Sequence, residues 1–515
     1  MKEAITSIAI VGGGAAGISL FNYLTMKINY NGCNGNNVNI TIYEKKPYVG
    51  PGIAYQDDYD FLLLNRHSKQ MSIIFEEPDH FWNWYKSRYK LRFEQEEFLP
   101  RSVFGEYLKN VFEESVERAI KKNITVCVKF SEVVHLRKER NYVLMTHDGE
   151  IQEFDLVLLC LGNTRLNDHY HLNGQPQFIY DPYPLKQTVS LIPKNAYIAI
   201  LGSSLTAVDI CLALKENGHN GKIDMLSRKG ELPSVRGESK PHKLKYLTQD
   251  SLNQILLKRN GQIKLKDITK LIKKEFEEIG LEWKSILAPK SHHSNAKKKL
   301  EEEIKNILHQ SAWQSVLMST NEIIEEYWHY LNDKDKSIYL NKYDRIFMSR
   351  RNPMPLVNAT KILDLMNKGQ LSMRSDVVYI DYLKDHTFYV QFNDGKYINY
   401  DWIINATGPS KHLSGPCKSG LIGSLISNGY ATINNYGGLK TDFDTGALIN
   451  KTGQPDTNLR ALGHITCGTY YFTSSMEMIA KHAKQISEDI SNLIHQSIRE
   501  EKEFVSILRN HKNEK

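Results

Sequence analysis

The chain repeats one pattern: a short apolar run, a glycine-rich turn, then a longer stretch whose apolar residues recur at helical spacing. The first run is Ser7-Ile8-Ala9-Ile10-Val11, followed by Gly12-Gly13-Gly14-Ala15-Ala16-Gly17 and a helical pattern from Ile18 to about Ile28. Another run, Val38–Tyr43, ends at Glu44. Much later, Ala196–Leu201 leads into Gly202-Ser203-Ser204-Leu205-Thr206-Ala207, an apolar helix through Leu214, and the run Ile223–Leu226. Short apolar runs bounded by turn residues predict strands, and the 3.6-residue period predicts helices. Their alternation predicts an α/β chain.

The first turn is G-x-G-x-x-G between a strand and a helix, the context that gives this spacing a mechanism. Gly12 permits the tight turn, Gly14 lets a pyrophosphate approach the backbone, and Gly17 lets the helix pack closely on the strand. Ala15 and Ala16 open the helix, whose N-terminus offers N–H groups and positive dipole to an anion. Glu44, with Lys45 beside it, ends the second strand where an acid accepts hydrogen bonds from a ribose hydroxyl. It comes later than the usual spacing of about 20 residues. The Asn/Gly-rich stretch Asn31–Asn37 accounts for the delay as a surface insertion.

The second turn is a degraded G-x-G-x-x-A with Ser204 at the middle position, and a repeat gives it weight. The first half closes with the turn His147-Asp148-Gly149-Glu150 and a strand Asp155–Leu161 ending in Gly162-Asn163. The second half has Asn393-Asp394-Gly395-Lys396, then Asp401–Asn405 ending in Ala406-Thr407-Gly408-Pro409. Two copies of one plan predict two Rossmann-like dinucleotide-binding domains, the longer second copy carrying an insertion. The strand Ile223–Leu226 ends in Ser227-Arg228, with no acid matching Glu44. A hydroxyl followed by a guanidinium suits a 2′-phosphate that an acid would repel. The second site is therefore expected to take NADPH through Gly202, Ser203, Ser204, Thr206, Ser227, Arg228, Thr407 and Gly408, and the first to take FAD.

Composition narrows the partners. The 515 residues are 41% hydrophobic, 24% charged and 10% aromatic, an ordinary globular balance. The net charge of +7 fits phosphate-bearing cofactors without calling for nucleic acid. The six cysteines (Cys33, Cys127, Cys160, Cys211, Cys467 and Cys417) form no C-x-x-C and no zinc-spaced cluster, so neither a redox disulfide nor a metal site is expected. Met1–Ser7 has no long apolar leader, and apolar runs such as Leu156–Leu161 fall far short of the roughly 18 residues of a membrane span. A cytoplasmic protein is expected, with its oligomeric state left open.

Between about Arg236 and Ser349 the composition shifts to Lys, Glu and Leu, with helical periodicity over Leu265–Ile279 and Lys297–Tyr330 and with Trp313 and Trp328 on apolar positions. This stretch reads as a helical insert capping a cleft between the nucleotide domains. Its Lys297–Lys305 charge run reads as a solvated face, and His292-His293 as a loop pair lacking metal partners. The expected organisation is an FAD domain over 1–165 and 409–515, an NADPH domain over 166–235 and 350–408, and the insert over 236–349. Arg350 and Arg351 are candidates to clamp a substrate carboxylate, with ordinary salt bridges as the alternative. Near the end, Arg460-Ala461-Leu462-Gly463 reads as a final strand, and Ser474 as the N-cap of a helix from Ser475 to about Leu493.

Several motifs carry a family resemblance. They are Gly50-Pro51-Gly52-Ile53-Ala54-Tyr55, Leu62-Leu63-Leu64-Asn65, Leu99-Pro100-Arg101 with Phe104-Gly105, Asp181-Pro182-Tyr183, Ser227-Arg228-Lys229-Gly230 with Leu232-Pro233, Arg350-Arg351-Asn352-Pro353, and Gly468-Thr469. With them the chain resembles the two-dinucleotide flavoproteins. More narrowly, it resembles the bacterial FAD–NAD(P)-binding proteins related to nitrosuccinate-forming amino-acid N-monooxygenases. The resemblance implies flavin contacts at Gly52, Tyr55, Asn65, Arg101, Gly162, Asn163, Gly463, Gly468 and Thr469. It also implies that the final helix aims its N-terminus at the flavin, stabilising negative charge there. The chain departs from the family at Cys467, where a basic residue is expected, and at Tyr471-Phe472, where an acid is expected, so aspartate is not carried over as substrate. The F-x-G-x-x-x-H fingerprint of Baeyer–Villiger enzymes does not occur between Asn163 and Asn195.

Two nucleotide sites without a redox cysteine pair point first to a monooxygenase. NADPH would reduce FAD, and a flavin hydroperoxide formed with O2 would oxygenate a small molecule, by resemblance at an amine nitrogen of an amino-acid-like substrate. Asn65 is the candidate catalytic side chain, hydrogen-bonding the flavin or peroxide, or else binding local backbone. Two alternatives stay open. One is an NADPH oxidoreductase passing electrons to a quinone, dye or protein; the other is a nucleotide-sensing interaction protein with the insert as its docking surface.

Overall fold

The period-two alternation of the strands sorts their side chains onto two faces, and both faces are covered. In a computed structural model of the chain, residues 7–28, 38–89, 98–163, 165–238, 242–287, 295–413 and 420–513 are described. The Asn31–Asn37 insertion, Cys33, Cys417, His292-His293 and the first six residues lie outside them. The chain divides into two units, one of residues 1–56, 68–164 and 411–515, the other of residues 57–67 and 165–410.

The first unit is built on a six-stranded sheet in the order Ala447–Ile449, Pro455–Ala461, Leu156–Leu159, Ser7–Val11, Asn39–Tyr43, Thr125–Lys129. All neighbours are parallel except the edge pair Ala447–Ile449 and Pro455–Ala461. Ile8, Ile10, Ile40, Ile42, Leu156 and Leu158 share one apolar cluster with Leu20 and Leu24 of the opening helix Ala15–Lys27 and with Ala483, Ile486 and Ile490 of the last helix. Ala9, Val11, Val157 and Leu159 point the other way, toward an antiparallel meander of Val133–Lys138, Tyr142–Thr146 and Ile151–Phe154. The last helix runs over Met476–Asn513, well beyond the expected end near Leu493. Its N-cap is Ser475, whose carbonyl accepts the first helical bond from the Ile479 N–H at 3.0 Å, rather than Ser474.

The second unit repeats this plan. Its five-stranded sheet runs Leu371–Arg374, Ile223–Leu226, Ile198–Leu201, Trp402–Asn405, Phe178–Ile179, all parallel. The first four strands match, in order, Thr125–Lys129, Asn39–Tyr43, Ser7–Val11 and Leu156–Leu159 of the first unit. A second antiparallel meander, Val377–Tyr382, Phe388–Phe392 and Tyr397–Tyr400, again leads into the closing strand. The turns foreseen in each meander are present: Gly149 N–H donates to the Thr146 carbonyl and Gly395 N–H to that of Phe392, both at 3.0 Å. Between Ile223–Leu226 and Leu371–Arg374 the chain makes a series of helices from Gln249–Lys258 to Asp344–Arg351, then Leu356–Asn367. Trp313 and Trp328 are buried there.

The short segment 57–67 belongs with the second unit for a polar and an apolar reason. The Asp58 carboxylate, itself buried, accepts the Leu185 and Lys186 N–H groups at 2.6 and 3.0 Å and so caps the helix Leu185–Ser190. Leu62 joins the cluster of Leu185, Ile198 and Ile200. Among the described residues, no helix is long and apolar enough to cross a membrane.

Candidate dinucleotide sites

Both glycine turns join the end of a central parallel strand to a helix, and hydrogen bonds align them residue by residue. Gly12 N–H donates to the Tyr43 carbonyl and Gly202 N–H to the Leu226 carbonyl, both at 2.8 Å. Glu44 N–H then donates to Lys129, and Ser227 N–H to Arg374, both at 3.0 Å. Ser227 therefore occupies the backbone position of Glu44, and Arg228 that of Lys45. Cys160 and Ala406 also correspond, their N–H groups donating to Val11 and Leu201 at 2.8 Å.

The backbone demands are alike at the first glycine. Gly12 (φ +107°) and Gly202 (φ +120°) lie where L side chains strain, and a Cβ would meet the Cys160 or Ala406 carbonyl oxygen at 2.2 or 2.5 Å. The N-cap residues Gly14 and Ser204 have near-identical backbones, φ −80°, ψ −169° and φ −85°, ψ −168°. Ser204 thus keeps the turn's shape despite its side chain. Neither residue caps its helix through a side chain, which leaves the first-turn N–H groups for an anion. The copies part at the third position. A Cβ on Gly17 would lie 2.0 Å from the Gly12 carbonyl oxygen, whereas the second copy carries Ala207.

The strand ends differ more. Glu44 is buried, and its two carboxylate oxygens accept the Gly13 N–H at 2.8 Å and the Lys46 N–H at 2.9 Å. Each oxygen keeps a further lone pair for a ribose hydroxyl. Ser227 instead accepts the Gly230 N–H at 3.1 Å, folding Ser227–Gly230 into a compact turn, and Ser203 donates to the Glu231 carbonyl at 2.5 Å. Arg228 is exposed there, and Thr206 sits half-buried on the first helical turn. A cavity of about 730 Å³ is lined by Arg374, Ser375 and Asp376 among others, and Ser375 stands beside Gly230, whose added Cβ would lie 3.7 Å from its own.

The remaining residues singled out from sequence fall into three groups. The first stands beside the first turn: Gly50 N–H donates to the Gly13 carbonyl at 2.8 Å, and a Cβ on Gly52 would touch the Gly14 Cα at 3.4 Å. Gly463, at the end of Pro455–Ala461, faces Ala16, whose Cβ would lie 3.6 Å from its own. Tyr55 packs on Phe104 at 4.7 Å between ring centroids, and Arg101 is near its hydroxyl, whose pKa burial pushes up to about 12. Gly105 lets the helix Arg101–Lys121 approach the Tyr55 carbonyl, from which a Cβ would lie 2.1 Å. Arg101 opens that helix, where a cation opposes the dipole.

A second group is held by local structure. Gly162 and Asn163 are exposed just past Leu156–Leu159. In the second copy Gly408 matches Gly162 and Thr407 matches Leu161, and these two join a network around Asn405, which sequence reasoning passed over. The buried Asn405 amide donates to the Asn167 and Tyr180 carbonyls at 2.9 and 3.1 Å, and its oxygen accepts the Thr407 hydroxyl at 2.7 Å. The Gly408 carbonyl accepts from the Asn167 backbone at 3.1 Å. Gly468 packs against Gly437, whose carbonyl oxygen would stand 2.3 Å from an added Cβ, and Thr469 is within 3.4 Å of the Asn434 amide.

The third group lies in the second unit, outside the glycine turn itself. Asn65 is half-buried within the 57–67 segment. Arg350 donates to the Ser234 hydroxyl at 2.7 Å and the Ile286 carbonyl at 3.3 Å, with Glu303 at 3.6 Å. Arg351 is buried. Of the cysteines, Cys127 is exposed, while Cys160, Cys211 and Cys467 are buried free thiols. Burial pushes Cys160 up to about 12, raises Cys211 strongly, and raises Cys467 to about 11 despite the opposing charge of Lys411.

Residues 9–164 match a family model described as FAD-NAD(P)-binding. Along its sequence the chain is 22% identical over 417 residues to "Uncharacterized protein YdhS" of Escherichia coli (strain K12), covering 70% of this chain and 75% of that protein. Among solved structures it resembles L-lysine 6-monooxygenase from Pseudomonas syringae, with TM-score 0.58, 13% identity, and 96% and 99% of the two chains covered. It also resembles ornithine hydroxylase (PvdA) from Pseudomonas aeruginosa in its reduced form, with TM-score 0.56, 11% identity, and 95% and 100% covered. The family match falls on the stretch that holds the first glycine turn, and the likeness to the solved structures is one of fold.

Proposed function

We propose that the protein is an FAD-dependent, NADPH-oxidising monooxygenase that hydroxylates the nitrogen of a small amine or amino-acid-like substrate. The observation that carries this reading is the contrast at two equivalent strand ends, an acid at Glu44 and a hydroxyl with a guanidinium at Ser227-Arg228. The first suits an unphosphorylated ribose and the second a 2′-phosphate. The flavin, when bound, supplies two-electron chemistry between a nicotinamide and O2. In balance, R–NH2, O2, NADPH and a proton give R–NHOH, NADP⁺ and water.

The chain's own contribution is placement. The amides at the start of Ala15–Lys27 and Leu205–Glu216 hold the pyrophosphates, Glu44 holds the FAD ribose, and Arg228 holds the 2′-phosphate. Disulfide reduction is a poorer reading, because the sequence offers no C-x-x-C pair and burial raises the Cys160, Cys211 and Cys467 thiols, which disfavours the reactive thiolate there. The fold shared with an L-lysine 6-monooxygenase and an ornithine hydroxylase supports oxygenation of an amino-acid-like substrate.

The test is anaerobic reduction of the purified flavoprotein with NADPH or NADH, followed by oxygen in the presence of an amine and amino-acid panel. Faster reduction by NADPH and a product heavier by one oxygen atom are expected. Peroxide alone across the panel, or ready transfer of the electrons to a quinone without oxygen incorporation, overturns N-hydroxylation. Asn65→Ala is expected to loosen the coupling of NADPH use to product; unchanged coupling removes Asn65 from the reaction.

A further inference from the structure

The inserted helices return to the second unit close to the Ser227–Glu231 turn. Val235 pairs with Met354 in a parallel bridge, Arg236 N–H donates to the Met354 carbonyl at 2.8 Å, and Arg350 reaches Ser234. With Phe347 buried, these contacts fix the helix Asp344–Arg351 on the strand that leaves the turn. Arg345, half-buried on its first turn, lies within reach of the charges of Arg228 and Glu231 in the Ser227–Glu231 turn. The Tyr170 phenol is also within reach of the Arg228 charge.

Two guanidiniums are thus drawn together from distant parts of the chain. Among the described residues, neither Arg228 nor Arg345 has a hydrogen bond or an ion pair. Burial holds Arg345 below its ordinary range, the charge of Arg228 adds to that, and Glu231 opposes it weakly. Such a pair repels itself until a doubly charged anion enters, and planar forks match a phosphate's oxygens two at a time. Its location selects the anion, because Arg228 directly follows the residue that stands where Glu44 stands in the first copy.

We infer that Arg345 is a specificity-determining residue of the second dinucleotide site, closing with Arg228 on the 2′-phosphate of NADPH. This rests on the NADPH reading of that site. It assigns the helical insert a part in choosing the cofactor, since Arg345 belongs to the insert and not to the Rossmann core.

Calorimetric binding of adenosine 2′,5′-bisphosphate and of adenosine 5′-monophosphate to the full-length protein tests the inference without turnover. The unaltered protein should prefer the bisphosphate. Arg345→Gln should weaken bisphosphate binding about tenfold, the loss of one charge-assisted hydrogen bond, and leave the monophosphate unchanged. Arg345→Lys should recover part of the loss. If the unaltered protein shows no preference, the NADPH reading itself fails. If it prefers the bisphosphate and Arg345→Gln retains that preference, Arg345 has no such part. Equal weakening of both ligands by Arg345→Gln, with a lowered Tm, also overturns the inference by showing a structural role.

Discussion

At the first turn the strand ends in a buried acid that ties down two backbone amides, and the helix starts against a glycine. At the second turn the same backbone ends in a serine that folds a small turn of its own, and the helix starts against an alanine. The strand order, the φ/ψ of Gly14 and Ser204, and the carbonyl each leading glycine approaches are otherwise shared. The difference teaches which parts of a dinucleotide motif are geometric and which are chemical. Gly12 and Gly202 answer a backbone constraint, so both copies keep glycine. The middle glycine answers the ligand's approach, so serine stands there without changing the protein's own conformation. The strand-end residue answers the ribose, so it differs between copies.

The largest expected effect comes from breaking the shared constraint. Gly12→Ala puts a Cβ against the Cys160 carbonyl at a positive φ, and should cost roughly 3 kcal/mol and abolish retention of bound flavin. Denaturation followed by tryptophan fluorescence checks the first, and the flavin content of the purified protein checks the second. Next comes Ser227→Glu, which copies the first strand end into the second. An acid against a 2′-phosphate should raise the Kd for NADPH about a hundredfold while changing that for NADH far less. Equal effects on the two nucleotides would show that Ser227 does not neighbour the phosphate.

A smaller effect follows from Glu44→Gln, since an amide has only one acceptor oxygen for the Gly13 and Lys46 N–H groups. About 1–2 kcal/mol of stability should be lost, measured by urea titration of the flavin-free protein. The smallest expected change is Ala207→Gly, which imitates the first copy at the third glycine. It should cost no more than about 1 kcal/mol, the ordinary penalty of glycine in a helix. The reverse change, Gly17→Ala, should be far more damaging, because its Cβ would lie 2.0 Å from backbone. Comparable costs for the two would mean that the helices approach their strands equally closely.

Much of this was legible along the chain because the responsible residues are neighbours. Strand, turn, helix and second strand follow one another, and Ser227-Arg228 sits at the end of a run whose length is plain from its apolar residues. The repeat was legible for the same reason, in the turn before each closing strand. Asn405 was not, since its worth lies in carbonyls at Asn167 and Tyr180, far off in sequence. Gly105 could be noticed but not explained until Tyr55 was seen against it. The start of the last helix is one residue later than the sequence suggests, because the choice of N-cap between adjacent serines depends on which carbonyl receives the Ile479 N–H.

By itself the sequence determined the fold class, the two turns and the chemical contrast between their strand ends, because period, glycine placement and side-chain charge act over a few residues. Tertiary structure alone decided which distant segments complete each unit. It placed 57–67 with the second unit through the Asp58 cap and Leu62. It set Gly463 beside Ala16, and brought Arg345 to Arg228. Those pairings come from burial and hydrogen-bond demands that only a closed chain imposes, and they link residues whose spacing along the sequence carries no period to read.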